Sequence, residues 1–174
     1  MSNVAGRNEQ TWRFEPYADY YQFMVSDAEA NEGLPDGDTW PKSPEGWRIG
    51  VEPYGVAVAT ARYDYVTVLL ELIPHPPLNR SFDDVSHVVE ADIELPSGKL
   101  AITGCTQQPS EVEPIEIRPG RYRLRVSYAP TESRPSKSNG DEPGDYLEYR
   151  IETWPVVKQS EVRVLKLGPS PWAG

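Results

Sequence analysis

Apolar and polar residues alternate with a period of two through most of this chain, which is the pattern of half-buried β-strands. The clearest case is residues 121–126, RYRLRV, in which the arginines point to one face and the apolar side chains to the other. Pro119 and Gly120 precede this run and predict a tight turn, because proline presets the first turn dihedral angle and glycine accepts a positive φ at the second. We therefore expect a hairpin between residues 115–117 and 121–128.

The same alternation recurs along the chain and predicts a fold built from short strands. The predicted strands are residues 20–26, 55–60, 65–73, 87–95, 99–105, 115–117, 121–128, 145–154 and 161–167. No helical periodicity extends over ten residues, and 18 prolines with 13 glycines punctuate the chain as antiparallel sheets require. The predicted fold is all-β: an antiparallel β-sandwich of eight or nine short strands, with a closed or flattened barrel as its nearest alternative.

A chain of 174 residues with 38 % hydrophobic content can bury one core, so we predict a single domain over residues 1–174. Residues 1–14 are expected to form a flexible tail. Two long loops are predicted, at residues 27–47 and 129–144. Trp40 and Trp47 can anchor the first loop, whereas the second has no large apolar residue and is expected to be mobile.

The net charge is −10, and its distribution is uneven. Residues 1–110 contain 17 acidic and 7 basic residues, whereas residues 111–174 contain 10 of each. A negative field repels nucleic acid phosphates and speeds the approach of basic partners. The charge therefore favours a basic protein partner over direct nucleic acid binding, unless it serves only solubility.

The candidates for contact with such a partner are outward-facing carboxylates, which form one negative surface if the fold brings them together. The predicted protein-binding residues are Asp36, Asp38, Asp83, Asp84, Glu90, Asp92 and Glu94. The alternating Glu90, Asp92 and Glu94 can instead be a solvated strand face.

The outward arginines Arg121, Arg123 and Arg125 allow two interpretations. They can bind an anion, or they can form ion pairs across the sheet, for which Glu148 and Glu152 have the same outward phase on a later strand. The sequence alone favours the ion pairs.

No residue cluster indicates an enzyme. Ser81, Asp83, Asp84, Ser86 and His87 gather a hydroxyl, acids and a base, but His87 is predicted on the core face of a strand, and triads are normally assembled from distant segments. Cys105 has no flanking base that would lower its pKa. Residues 36–38, DGD, lack the rest of a calcium loop, so no metal or cofactor is expected.

Location follows from three weaker signals. No apolar stretch approaches the roughly 20 residues that span a bilayer, residues 1–9 show no secretory signal, and the single cysteine excludes an intramolecular disulfide. We expect a cytoplasmic protein that does not enter a membrane.

Three stretches resemble the competence protein J family: residues 20–25 (YYQFMV), residues 119–126 (PGRYRLRV) and residues 149–155 (YRIETWP). Members of that family are small bacterial inhibitors of a DNA-entry nuclease. The resemblance implies a cytoplasmic bacterial β-sandwich that works by binding another protein, and it assigns no inhibitory residue.

The sequence thus predicts an acidic, non-enzymatic inhibitor of a basic protein such as a nuclease or a toxin, the latter as for an immunity protein. Two other classes stay open. Trp40 and Trp47 could be stacking platforms of a carbohydrate-binding module. Residues 65–73, apolar on both faces, could mediate self-association of a structural subunit.

Overall fold

The computed structural model describes residues 10–78 and 80–170, which form two β-sheets packed face to face. Its strands are β1 Gln10–Phe14, β2 Gln22–Asp27, β3 Ile49–Glu52, β4 Gly55–Ala59, β5 Thr67–Leu72, β6 His87–Leu95, β7 Lys99–Gly104, β8 Ile115–Glu116, β9 Gly120–Pro130, β10 Leu147–Pro155 and β11 Arg163–Lys166. Short 3-10 turns occupy Asp19–Tyr21, Trp40–Lys42, Glu45–Trp47 and Pro109–Glu111. None of the helical turns in these residues is long and apolar enough to cross a membrane.

One sheet has six strands in the order β1-β5-β10-β9-β6-β11, and the other has five in the order β3-β4-β2-β7-β8. The predicted all-β sandwich is confirmed. Two details differ: the described residues contain eleven strands, and β5 and β10 pair in parallel within a sheet that is otherwise antiparallel. Alternation predicts which face a residue occupies but not the direction of the neighbouring strand.

The core lies between the sheets and consists of the inward side chains of both. Tyr128 and Tyr149 lie at its centre, with ring centroids 5.1 Å apart, and Phe23 of the other sheet packs edge-on against Tyr149. The Tyr128 hydroxyl donates to the Arg48 carbonyl over 2.9 Å, and the Tyr149 hydroxyl accepts from the Ala61 amide over 3.0 Å. Each buried phenol oxygen therefore has a hydrogen-bond partner. Burial raises the pKa of each.

The predicted flexible tail is wrong for Gln10–Phe14. These residues form edge strand β1, antiparallel to β5, and Trp12 and Phe14 pack against the core. Two aromatic side chains with the alternation of a strand offset the entropy cost of ordering an edge. Residues 1–9 lie outside the described residues.

The first long loop covers the outer face of the five-stranded sheet. Small outward residues make room for it: a Cβ on Gly50 would lie 2.9 Å from the Thr39 methyl group, and one on Gly55 would lie 2.7 Å from Pro35. Side chains at these two positions would displace the loop. The loop is thus a packed layer over this sheet.

The second long loop begins at residue 131, because β9 extends to Pro130. It is held by polar contacts to a buried ion pair, Arg62 and Asp64, whose side chains are 3.1 Å apart. Arg62 donates to the Asn139, Glu142 and Gly144 carbonyls, and Asp64 accepts from the Asn139 amide. The predicted mobility of this loop stays a prediction, but these contacts favour order.

Candidate protein-binding surface

Two arginines of β9 meet acids of β6 on the outer face of the six-stranded sheet. The antiparallel register places Arg125 opposite Glu90 and Arg123 opposite Asp92. Arg123 Nη1 lies 2.8 Å from Asp92 Oδ1, and Arg125 Nε lies 2.8 Å from Glu90 Oε2. Glu90 and Arg123 are only 6 % and 4 % exposed. Of the two interpretations of the arginines, these side chains adopt the ion pairs.

The connection between β10 and β11 closes over these pairs. Arg123 donates to the Ser160 and Glu161 carbonyls, and the Ser160 amide donates to Asp92 over 2.6 Å. Glu90 and Asp92 are therefore engaged within the fold, so a partner could use them only by opening this layer.

The partners of the arginines lie on β6, not on β10 as the sequence suggested. Glu152 lies opposite Arg125 in the register, but its carboxylate forms an ion pair with Arg80 at 2.7 Å. Arg150 binds Glu148 of its own strand and Asp84. The segment between β5 and β6 crosses this face and supplies Arg80 and Asp84, a contact that strand periodicity cannot reveal.

Glu94 and Arg121 form the outermost pair of the same strands, 2.6 Å apart and with side chains 40 % and 28 % exposed. They line an open cleft of about 850 Å³ beside Trp47 and Glu52. Glu94 is accessible to a partner, in contrast to Glu90.

Asp83 and Asp84 are exposed on the segment that crosses the six-stranded sheet. Asp84 lies 2.7 Å from Arg150, and this hydrogen bond lowers the pKa of the Asp84 carboxyl. The carboxylate is thus charged at neutral pH, and the pair is exposed enough for a partner to compete for it.

Asp36 and Asp38 are exposed in the first long loop, where the Asp36 carboxylate accepts from the Asp38 amide over 2.8 Å. This loop covers the five-stranded sheet, whereas Asp84 lies over the six-stranded sheet. The fold therefore places these two pairs of predicted residues on opposite sides of the sandwich, and they do not form one patch.

The hydroxyl, acid and base near His87 do not form a catalytic triad. His87 is fully buried, its Nδ1 accepts from the Gly168 amide, and its Nε2 lies 3.1 Å from the Trp47 carbonyl. Ser86 donates instead to the Tyr128 carbonyl. His87 is therefore a structural residue of the core, as its position on the strand predicted.

The remaining sequence candidates have structural contacts as well. Burial raises the pKa of the Cys105 thiol, which disfavours a nucleophilic thiolate. Trp40 is half-buried and its indole donates to Gln22, and Trp47 packs against the core. Within residues 10–78 and 80–170, no three His, Cys, Asp or Glu side chains lie close enough together to hold a metal ion.

One end of the sandwich carries a tyrosine cluster that the sequence analysis missed. We call it the tyrosine platform: Tyr17, Tyr20, Tyr21, Tyr63 and Tyr65. Tyr63 is central, with ring centroids 5.9, 5.9 and 5.4 Å from those of Tyr17, Tyr20 and Tyr21, and Tyr17 lies 5.0 Å from Tyr65. Three of these residues stay well exposed: Tyr17 at 44 %, Tyr20 at 63 % and Tyr21 at 38 %.

The backbone of the platform is strained. Tyr20 and Tyr21 have φ angles of 54° and 57°, a left-handed conformation that few non-glycine residues adopt. Their strand was predicted from residue 20, but β2 begins at Gln22 for this reason. The Thr60 amide donates to the Tyr21 carbonyl over 2.8 Å. Contacts elsewhere in the fold thus hold the two rings in an exposed position.

A buried carboxylate, that of Asp19, lies between Tyr17 and Tyr20 in the chain. Asp19, 7 % exposed, accepts hydrogen bonds from the Cys105 amide and the Thr106 hydroxyl. No cationic side chain of the described residues forms an ion pair with it. Partial burial raises the pKa of Tyr17, and the charges of Glu142, Asp19 and Asp64 add to this effect. Three carboxylates therefore place negative charge near Tyr17.

The fold, though not the sequence, has relatives among known proteins. No protein-family model matches the chain, and no curated protein matches its sequence. The structure is similar to ComJ from Bacillus subtilis, an inhibitor of the DNA degrading activity of NucA, with a TM-score of 0.59 and 15 % identity over 85 % of this chain and 98 % of ComJ. It is also similar to the structure described as crocagin biosynthetic gene J, with a TM-score of 0.50 and 19 % identity over 86 % of this chain and 99 % of that one. The resemblance to the competence protein J family is confirmed for the fold.

Proposed function

We propose that this protein is a non-catalytic inhibitor that binds and blocks a basic protein, of which a nuclease is the foremost example. The observation that carries the proposal is a ComJ-like sandwich with a net charge of −10. A nuclease that binds DNA must present cationic side chains to the phosphates. A protein that offers carboxylates in place of phosphates can occupy the same surface.

Accessible carboxylates are the ones that can meet such a partner. The set that the fold leaves exposed or half-exposed is Asp36, Asp38, Asp83, Asp84 and Glu94. Because Asp36 and Asp38 lie on the side opposite Asp83 and Asp84, a single partner docks on one side at a time. The far side then contributes to the field that steers the approach.

The proposal is tested by capture followed by a nuclease assay. Immobilised protein is incubated with lysate of the source cell and washed at low and then high salt, and the eluate is identified by mass spectrometry. We expect a basic protein to elute at high salt. Its DNA degradation, and that of NucA as a second probe, is then measured with and without the inhibitor.

A pair of charge variants shows whether the predicted carboxylates matter beyond total charge. The first variant carries D36N, D38N, D83N, D84N and E94Q. The control, with the same change in net charge at other exposed acids, carries E32Q, E45Q, E113Q, E116Q and E132Q. We expect the first variant to lose retention and the control to keep most of it. A wild-type protein that retains no basic protein would overturn the proposed function.

A further inference from the structure

We propose that the tyrosine platform is the anchoring surface for the partner, and that it holds arginine or lysine side chains of a basic protein on the exposed faces of Tyr17, Tyr20 and Tyr21. This inference deepens the proposed function and rests on it for the nature of the partner. It assigns the anchoring contact to a place that carries none of the predicted acidic residues.

Exposure of the rings is the first argument. Tyrosine is enriched among residues that dominate binding energy at protein interfaces, because a large rigid ring offers much contact at little entropy cost. Because 63 % of the surface of Tyr20 is exposed, this side chain contributes little burial energy to the folded monomer. The contacts among the five rings instead give the cluster a fixed shape that a partner meets already formed.

Backbone strain is the second argument. Left-handed conformations of two consecutive non-glycine residues are unfavourable and concentrate at functional sites. Glycine or asparagine at these positions would relieve the strain, yet the chain carries two tyrosines. The segment just before them packs closely on β7: a Cβ on Gly104 would lie 2.3 Å from the Tyr17 carbonyl oxygen. The fold thus holds the rings outward at the expense of local backbone strain.

Charge identifies the occupant. The faces of aromatic rings attract cations, and the negative charge of Asp19 near Tyr17 adds to the attraction. Within the chain, Lys137 Nζ already lies 5.7 Å from the centroid of the Tyr65 ring. The platform therefore accepts a cation from its own loop on one ring and leaves the other rings for cations of a partner.

The test compares variants that remove or keep the rings without changing net charge. The variant Y20N/Y21N removes both rings and retains the fold, since asparagine tolerates the left-handed conformation. The control Y20F/Y21F keeps the rings and removes only the hydroxyl groups. The probe is a fluorescein-labelled hexa-arginine amide, with hexa-glutamate as the negative probe, and binding is read by fluorescence anisotropy.

We expect Y20N/Y21N to bind hexa-arginine about tenfold more weakly than the wild type, and Y20F/Y21F to bind within about threefold of it. Equal binding by Y20N/Y21N and the wild type would overturn the platform, as would an equal loss in both variants. Sedimentation checks the alternative occupant: a wild-type dimer that dissociates in Y20N/Y21N would assign the surface to a second copy of the chain and also overturn the proposal.

Failure of the platform and failure of the proposed function give different results. If the wild type inhibits its captured nuclease and Y20N/Y21N inhibits it equally well, the inhibitor function is supported and the platform is not the anchoring surface. If hexa-arginine binding depends on the rings but no basic protein is retained from lysate, the cation-binding surface is supported and the inhibitor function is contradicted.

Discussion

Among single residues, His87 shows how the core controls an ionisable side chain. Its ring is fully buried against Tyr128, at a centroid distance of 5.2 Å. The Gly168 amide donates to Nδ1, so Nε2 carries the proton and donates to the Trp47 carbonyl. Burial lowers the pKa of His87, because a charged ring would have to remain in the core. The folded state therefore holds this histidine neutral.

This lowered pKa makes stability depend on pH. The unfolded chain takes up a proton on His87 below about pH 6.5, whereas the folded protein does not, so stability is complete above that pH and declines as the pH falls. We expect a contribution to the slope approaching about 1.4 kcal/mol per pH unit, and H87Q should remove it. Urea unfolding at several pH values between about 5 and 7.5 measures the slope. The control is H75Q at the exposed His75, and a slope equal in all three proteins would contradict the prediction.

His87 and the tyrosine platform show which positions of single residues can be predicted from the sequence. Alternation alone placed His87 on the core face of its strand. It could not place Tyr20 and Tyr21, because the residue before them, Asp19, is bound by Cys105 and Thr106, more than 80 residues away in the chain. One signal in the sequence could have indicated the platform. Five of the ten tyrosines lie at or near the ends of three predicted strands.

Among the elements, strands β6 and β9 owe part of their pairing to ion pairs of unequal burial. Arg123 is 4 % exposed and contacts both Glu90 and Asp92, whereas Arg121 forms an exposed pair with Glu94. Removing one member of a buried pair leaves an uncompensated charge in a medium that solvates it poorly. An exposed pair is replaced by water at little cost.

We therefore expect R123M to lower the free energy of unfolding by about 3–5 kcal/mol, and R121M to lower it by about 1 kcal/mol or less. Both variants keep an unbranched side chain at the same strand and remove one positive charge. Chemical denaturation at neutral pH measures the difference. Similar losses in the two variants would show that the covering connection, Ser160 and Glu161, does not shield the pair from water.

The elements themselves were partly predictable. Long alternating runs gave β6, β9 and β10, because each has one inward and one outward face. β3 has only four residues, and its outward Gly50 packs beneath the first loop, so the sequence offered no alternation there. β5 and β10 pair in parallel although they are far apart in the chain, and no local pattern specifies such a pairing.

Across the whole molecule, charge and aromatic surface have different physical reach. The net charge of −10 acts over about 10 Å at 0.1 M salt and about 3 Å at 1 M salt, so salt weakens its effect. The tyrosine platform acts only in contact, where neighbouring rings exclude water. Steering charges chiefly set the association rate, and anchoring contacts chiefly set the dissociation rate.

The two contributions should therefore separate in a stopped-flow experiment with labelled hexa-arginine. We expect the association rate constant of the wild type to fall at least about tenfold between 0.1 M and 1 M salt, since steering accounts for gains of 10-fold or more. The variant D36N/D38N should lower this constant at low salt and leave dissociation unchanged. In contrast, Y20N/Y21N, which has the wild-type net charge, should raise the dissociation rate about tenfold and leave association unchanged. If Y20N/Y21N instead slows association and dissociates like the wild type, the rings do not anchor the cation and the acidic surface alone accounts for binding.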